Sequence, residues 1–301
     1  MPALDLNDAS TLHDFRDRMD AFRCAATANP IRKGQSFTLK FSCNDAHDVD
    51  DRHRTIAPSL QTLVSTSTTW YLNRSLQSGI GENAQVWVAS HEPQANEANT
   101  PNSIVLKIMQ ESFTTFPHVD WEDYDIRSYV VQEDRVSNAV TAYRRLSDFQ
   151  GSVLPYFFGH HVETAPWGER LDILAFEYIS GPSMEAVVYH NEEPRYARWI
   201  APETYTKLAK SAIEALLIVH ARRILHNDIE LRNIFIDTEK CQLVIIDWEM
   251  CSVDQTDHDE WVISEERKLV DVLHGVGSSV ARAMVLWANS RIPQLDCYVS
   301  D

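Results

Sequence analysis

The segment His226-Asn227-Asp228-Ile229-Glu230-Leu231-Arg232-Asn233 constrains this 301-residue chain more than any other. It sets an aspartate and, five residues on, an asparagine in a loop behind a long helical pattern. About fourteen residues past that asparagine, the apolar run Val244-Ile245-Ile246 ends in Asp247-Trp248-Glu249. Taken singly, such residues are turn formers and helix caps. Their joint order and spacing, a loop with an acid and an amide followed by a buried strand that stops at an acid, carries the information.

Around this segment the hydrophobic period changes. From Thr68 the chain reads strand, glycine turn, strand: Trp70 to Leu76 and Ala84 to Ser90 flank the turn, and Ser103 to Met109 is a third short strand. Val136, Val140, Tyr143 and Leu146 predict a helix over Val130 to Asp148, and Leu171 to Tyr178 is a strand broken by Ser180-Gly181-Pro182. Pro202 and Glu203 open a long helix through about Arg223, with Tyr205, Leu208, Ile213, Leu216, Leu217 and Val219 as apolar positions. Short β segments at Ile234 to Ile236 and Leu243 to Ile246 follow, then helices near Ser264 to His274 and Ser278 to Ser290.

The expected class is α+β, a β-rich half before an α-rich half, joined near Tyr178 to Pro182. Three segments result: an extension over residues 1–64, a β-rich part over 65–179 and an α-rich part over 180–301. Within the extension, Asn7, Asp8 or Ser10 caps a helix with apolar Leu12, Phe15, Met19 and Phe22. A short strand lies near Ser36 to Cys43, the charged run Asp45 to Arg54 reads as a solvated loop, and residues 91–102 read as another loop.

Charge narrows the function. With 44 acidic against 27 basic residues the formal net charge is −17, which repels phosphate backbones and anionic lipid, so neither nucleic acid nor a membrane surface is an expected partner. The start of the chain lacks the pattern of a secretory signal, and no stretch reaches the ~18 uninterrupted apolar residues of a membrane span. Cys24, Cys43, Cys241, Cys251 and Cys297 show no zinc or redox spacing and read as reduced thiols of a cytoplasmic or nuclear protein.

Two upstream motifs share the order. Gly79-Ile80-Gly81-Glu82-Asn83-Ala84-Gln85-Val86 places glycines between strands, where a missing Cβ lets the backbone approach a ligand; a plain hairpin turn is the alternative. Ile104-Val105-Leu106-Lys107 sets a lysine in an apolar strand, costly unless it meets a charge or faces solvent from an edge. With Ala175-Phe176-Glu177-Tyr178-Ile179 and the 226–249 segment, these motifs run from Trp70 to Cys251 in the order found in the protein-kinase-like superfamily, which the chain resembles. The HND triplet His226–Asp228 and the DWE triplet Asp247–Glu249 are similar to its atypical branch, which includes aminoglycoside phosphotransferases, choline kinases and small fungal kinase-like proteins.

The resemblance implies a bilobal fold, with a β-rich N-lobe and a shortened α-rich C-lobe, that binds ATP with Mg2+ and moves the γ-phosphoryl group to a hydroxyl of a protein or small molecule. It implies that Asp228 orients the hydroxyl and accepts its proton, that Asn233 and Asp247 hold the metal through oxygen, and that Lys107 meets the α- and β-phosphates. Gly79, Gly81 and Ala84, the last in place of a third glycine, would cover the phosphates. Val86 would pack on the adenine, and the backbone of Glu177 and Tyr178 would pair with its edge. Glu249 is either a second metal contact or a solvent-facing acid. Arg232 either neutralises the γ-phosphate or pairs with Glu230 or Asp228.

Departures from the pattern favour an alternative. Asn227 replaces the arginine that reads a phosphorylated activation loop, and no APE motif follows Asp247. Where a helix glutamate should pair with Lys107 the chain has Ala139, leaving Glu133, from one or two turns upstream, as a substitute or as a plain surface acid. Ala139, Ala84 and Glu230 fit a pseudokinase, a nucleotide-binding or scaffold module with little turnover, whereas Asn227 speaks against control by a phosphorylated loop and the missing APE motif against a protein acceptor. The acidic stretch Asp254 to Glu266 hints at a cationic acceptor.

Overall fold

Asp8 starts the first helix: its carboxylate accepts the Ser10 amide at 2.9 Å, satisfying one of the orphan donors of α1 (Ala9–Ala28). Leu12, Phe15 and Met19 are buried along one stripe, and Phe15 and Met19 pack with Leu4, Phe22 and Tyr129. A computed structural model describes residues 4, 6, 8–41, 51–92, 102–115, 129–255, 258–273 and 286–290. It is an α+β chain whose residues cluster into two units, Met1–Asp45 with Ile56–Val136 and Phe157–Tyr178, and Ala46–Thr55 with Ser137–Tyr156 and Ile179–Asp301. The cut after Tyr178 falls one residue before the expected boundary. Residues 46–55 and 137–156, expected in the extension and the β-rich part, belong to the second unit.

The first unit is built on six strands: β1 (Ser36–Leu39), β2 (Thr68–Gln77), β3 (Ala84–Ser90), β4 (Ile104–Met109), β5 (Phe157–Thr164) and β6 (Arg170–Glu177). They form one antiparallel sheet in the order β1-β2-β3-β4-β6-β5. β4 sits inside this order and is covered on both faces, with Ile104, Leu106, Ile108 and Met109 inaccessible, which is why it reads as an unbroken apolar run. The extension is part of the sheet, because β1 pairs with β2 through Phe37 and Trp70. Helix α2 (Pro58–Ser65), with Pro58 at its first turn, buries Leu60 and Val64. The unit also holds the first turn of α3 (Gln132–Arg145).

The second unit contains the rest of α3, then α4 (Met184–Tyr189), α5 (Ala197–Ile200), α6 (Pro202–Ala221) and α7 (His258–Leu273), with β7 (Ile224–Leu225), β8 (Ile234–Asp237), β9 (Gln242–Ile245) and β10 (Ser252–Val253). α6 buries Tyr205, Leu208, Ala209, Ala212, Ile213, Ala215, Leu216 and Val219 along the period the sequence displays. β8 pairs with β9 and β7 with β10. Gly181 is required where it stands, since a Cβ there would lie 1.7 Å from the Ile236 carbonyl oxygen. Most of the expected 278–290 helix, and most of the 91–102 loop, lie outside the described residues; 286–290 are helical. No described helix is long and apolar enough to cross a membrane.

The end of the charged run 45–54 is not solvated. Arg54 is buried and donates to the Ser152 carbonyl at 2.9 Å, the Asp237 carboxylate at 3.2 Å and the Leu154 carbonyl at 2.8 Å. Lys240 and Gln242 bind the carbonyls of Asp51 and Arg52 at 2.9 and 3.0 Å. Asp237 Oδ1 also accepts the Glu239 and Lys240 amides, so its charge retains partners when Arg54 is removed. Arg54→Met is therefore expected to lower the unfolding free energy by about 2 kcal/mol, less than a fully stranded buried charge costs. Urea denaturation measures it, and a loss below about 0.5 kcal/mol would place Arg54 among ordinary surface cations.

Candidate functional site

After α6, Arg223 turns through φ 56 into β7, which delivers His226 to the interior of the second unit. Its two ring nitrogens have unlike partners. Nε2 lies 2.8 Å from the Ile246 carbonyl, which can only accept, and Nδ1 lies 3.2 Å from the Asp228 amide, which can only donate. The proton therefore sits on Nε2. The ring stands edge-on to Trp248, centroids 4.5 Å apart. Asn227, at φ 63, binds the Met250 carbonyl at 2.9 Å and Ser252 Oγ at 3.1 Å. In place of a phosphate-reading arginine, it stitches the loop to the segment behind Asp247.

Asp228 and Asn233 meet. Asn233 Nδ2 donates to Asp228 Oδ2 at 2.9 Å and to the Asp228 carbonyl at 3.0 Å. The Asn233 carbonyl accepts the Ile246 amide at 2.9 Å, so the 226–233 loop and the end of the β9 segment are joined at two backbone positions. Asp247 follows in the left-handed region, φ 68 and ψ 65, a strained state for a residue with a Cβ that recurs at functional sites. Arg232 Nη2 lies 3.4 Å from Asp228 Oδ1, matching the ion-pair alternative. Glu230 binds Lys268 instead, at 3.0 Å. Glu249 is buried, which overturns the solvent-facing alternative.

The donor chemistry here suits a hard cation. Both bonds of the Asn233 amide to Asp228 use Nδ2, which leaves Oδ1 as the oxygen of that side chain able to meet a metal, and Asp247 adds a carboxylate. Mg2+ takes oxygen ligands of this kind. Among the described residues no group of three or more His, Cys, Asp or Glu is placed to hold a metal; the expected set counts an amide among its donors.

In the first unit, Val86 faces Lys107 across β3–β4 and Leu174 faces Lys107 across β4–β6, so the three form one row on one sheet face. Lys107 is only 9 % exposed and lies in an inner strand, which overturns the edge-strand alternative. Gly79 and Gly81 adopt φ 133 and 93, conformations open to glycine, and a Cβ added to either would meet no atom within 4 Å. Ala84 is the buried first residue of β3 opposite Met109, so the third motif position is a strand position that accepts a side chain. Glu177 ends β6 opposite Ile104. Arg74 donates to the Tyr178 hydroxyl at 2.8 Å. Glu133 is 80 % exposed, 3.7 Å from Arg170, the surface-acid alternative.

When the chain is set beside known proteins, no protein-family model matches it, and a search of curated proteins finds no match.

Three residues that the sequence motifs do not include, His220, Glu265 and Glu266, build the support of the Asp228 loop. Glu265 of α7 accepts the His226 and Asn227 amides at 3.1 and 2.6 Å. Its carboxylate also lies 2.8 Å from His220 Nε2, while Glu266 lies 3.2 Å from His220 Nδ1. All three side chains are buried. Their signal in the sequence is a histidine four residues past Leu216 on the apolar stripe of α6, which demands a polar partner. Glu265 and Glu266 are thereby spent inside the unit, and Asp254 pairs with Arg145 and Arg223. The acidic stretch 254–266 thus loses these three charges as an attractor for a cationic acceptor.

Burial opposes charge on His220, but hydrogen bonds to Glu265 and then Glu266 outweigh it and raise the imidazole above its ordinary value of 6.5. Burial likewise pushes Glu265 up, and the hydrogen bond and charge of His220, with the Asn227 amide, outweigh it, so its carboxyl falls below 4.5. Cys251 nearby is driven up to about 12 by burial, then by Glu265 and Glu249, and stays a neutral thiol. In the first unit, burial of Asp172 is outweighed by His160, Arg170 and Gln132, which hold it at about 2. A raised histidine contributes stability below its unfolded value that is lost as pH rises through the folded one. A lowered carboxyl contributes stability above its unfolded value that is lost as pH falls. His220 and Glu265 together therefore contribute most to the unfolding free energy between pH 4.5 and 6.5. His220→Gln should flatten the alkaline limb and also weaken the acid limb, because Glu265 loses the partner that lowers it, both read from denaturant midpoints across pH.

Proposed function

We propose that the two units are the N- and C-lobes of a kinase-like fold, and that the chain is an ATP-dependent phosphotransferase acting on a hydroxyl. The observation that carries this reading is the Asp228 carboxylate held by the Asn233 amide at 2.9 Å, in a loop bonded through His226 and Asn233 to the residue before a left-handed Asp247. Asp228 is half-buried, so it retains an accessible face while one oxygen is fixed. In this role it orients the acceptor hydroxyl and takes its proton as the bond to phosphorus forms. Asn233 and Asp247 would hold Mg2+, whose charge, when bound, offsets that of the phosphates. Lys107 has the α- and β-phosphates as its role, Gly79 and Gly81 cover them with backbone, and Arg232 can exchange an exposed ion pair of small worth for a phosphate.

The position of Glu133 at the surface beside Arg170 favours the second reading, a pseudokinase, because it removes one expected partner of Lys107. Magnesium-dependent ATP binding by calorimetry, together with turnover against a panel of hydroxyl acceptors and water, separates the two. Binding with turnover that depends on Asp228 supports the enzyme. Binding without turnover supports the pseudokinase, and absence of binding removes both.

A further inference from the structure

We propose that Arg23, on the N-terminal helix α1, is a positioning residue for the glycine-rich loop and acts on it through the turn after β4. The inference deepens the phosphotransferase reading and rests on it for the role of that loop. The Arg23 guanidinium donates twice, Nε to the Ser112 carbonyl at 2.6 Å and Nη2 to the Thr114 carbonyl at 2.7 Å. Between those two carbonyls lies that of Phe113, which accepts the Gly81 amide at 2.7 Å. One cation thus grips the turn on either side of the group that holds the loop.

The loop has little else to hold it. Residues 78–83 are exposed, and nothing packs where side chains of Gly79 or Gly81 would be. Gln77 closes the hairpin on Glu82 at 2.8 Å in an exposed bond. Among the described residues, Gly81 to Phe113 is the one backbone hydrogen bond that ties this loop to anything beyond its own hairpin.

The turn, by contrast, is a buried hub. Gln110, Ser112 and Thr114 are each under 3 % exposed. Its donors go to Glu169, which accepts the Ser112 amide at 2.9 Å, Ser112 Oγ at 3.0 Å and Gln110 Nε2 at 3.0 Å. The Glu111 carboxylate accepts the Gln132 amide at 2.6 Å and the Tyr129 hydroxyl. The carbonyls of Ser112 and Thr114 face the other way, and Arg23 is what they meet. Charge-assisted bonds to two carbonyls from one planar fork fix orientation as well as distance. Removing Arg23 leaves both buried carbonyls short of a donor, so the turn re-orients and the Phe113 carbonyl leaves Gly81.

The full-length chain tests this with Arg23→Ala and Arg23→Lys. Hydrogen exchange at the Gly81 amide is expected to accelerate about tenfold or more in Arg23→Ala, with amides of β4 and β6 unchanged. ATP KM should rise about tenfold while kcat stays within about twofold, and Arg23→Lys, which keeps the charge without the planar fork, should restore part of the exchange protection and of the KM. If Arg23→Ala does not fold, Arg23→Met, which keeps the packed stem, is read by the same criteria. Gly81 exchange equal to wild type in a folded variant overturns the proposal, as does equal acceleration across β4 and β6, which marks general destabilisation. If the wild-type chain neither binds nor turns over ATP, the phosphotransferase reading fails, and Gly81 exchange still reports whether Arg23 holds the loop.

Discussion

An Asp228→Asn chain is expected to fold, to keep its affinity for magnesium–ATP, and to lose turnover by about 10²–10⁴-fold. The substitution is nearly isosteric. The Asn233 Nδ2 bonds to the side-chain oxygen and to the residue 228 carbonyl can both survive, with the new amide oxygen turned to Asn233. The exposed pairing with Arg232 at 3.4 Å is lost at little cost in stability. What the amide cannot do is take a proton from an attacking hydroxyl. Single-turnover phosphoryl transfer, with a thermal melt and a nucleotide titration on the same sample, separates chemistry from folding and binding. Turnover within about threefold of wild type, in a variant that binds ATP normally, would remove Asp228 from the role of base.

Glu265→Ala is expected to cost about 3–5 kcal/mol of stability, enough to unfold a chain of ordinary margin. The reason lies in what stays behind. The His226 and Asn227 amides lose a common acceptor, and His220 Nε2 loses the Glu265 carboxylate while Glu266 stays on Nδ1. Three polar groups, those of His226 and His220 buried and that of Asn227 part-buried, are short-changed by one substitution, and the loop that carries Asp228 is hung on two of them. Glu265→Gln keeps one acceptor for the amides and should lose less. Urea unfolding of the two variants beside wild type reads both effects. A cost under about 1 kcal/mol for the alanine variant would mean the cluster relaxes onto other partners and does not anchor the loop.

The legible part of the fold is the part written in local period. β3 reads with its true ends, β2, β4 and β6 within two residues, and α6 opens at Pro202 as its sequence predicts. Where period is weak, reading fails: β5, with His160, His161, Glu163 and Thr164 on a sheet edge, lacks an apolar run, and α2 spans only eight residues. The candidate site divides along the same line. Asp228 and Asn233 lie five residues apart in one loop, and their contact is a local event. Glu265 lies 38 and 39 residues from the amides it holds, and Arg54 lies 183 residues from Asp237. Partners at such separations are chosen by tertiary packing, which leaves no mark on spacing. Arg54 is hidden further by its neighbours, because it closes a charged run in which Asp51 and Arg52 do face solvent.

The first sixty-four residues carry a practical consequence for anyone producing this protein. They hold a sheet strand at Ser36–Leu39, the guanidinium that grips the turn at 112–114 and the cation that answers Asp237. A recombinant fragment cut to begin at the glycine-flanking hairpin would include every recognisable motif and lack all three supports. Poor yield or absent activity from such a fragment would report on the trimming and say nothing about the full chain.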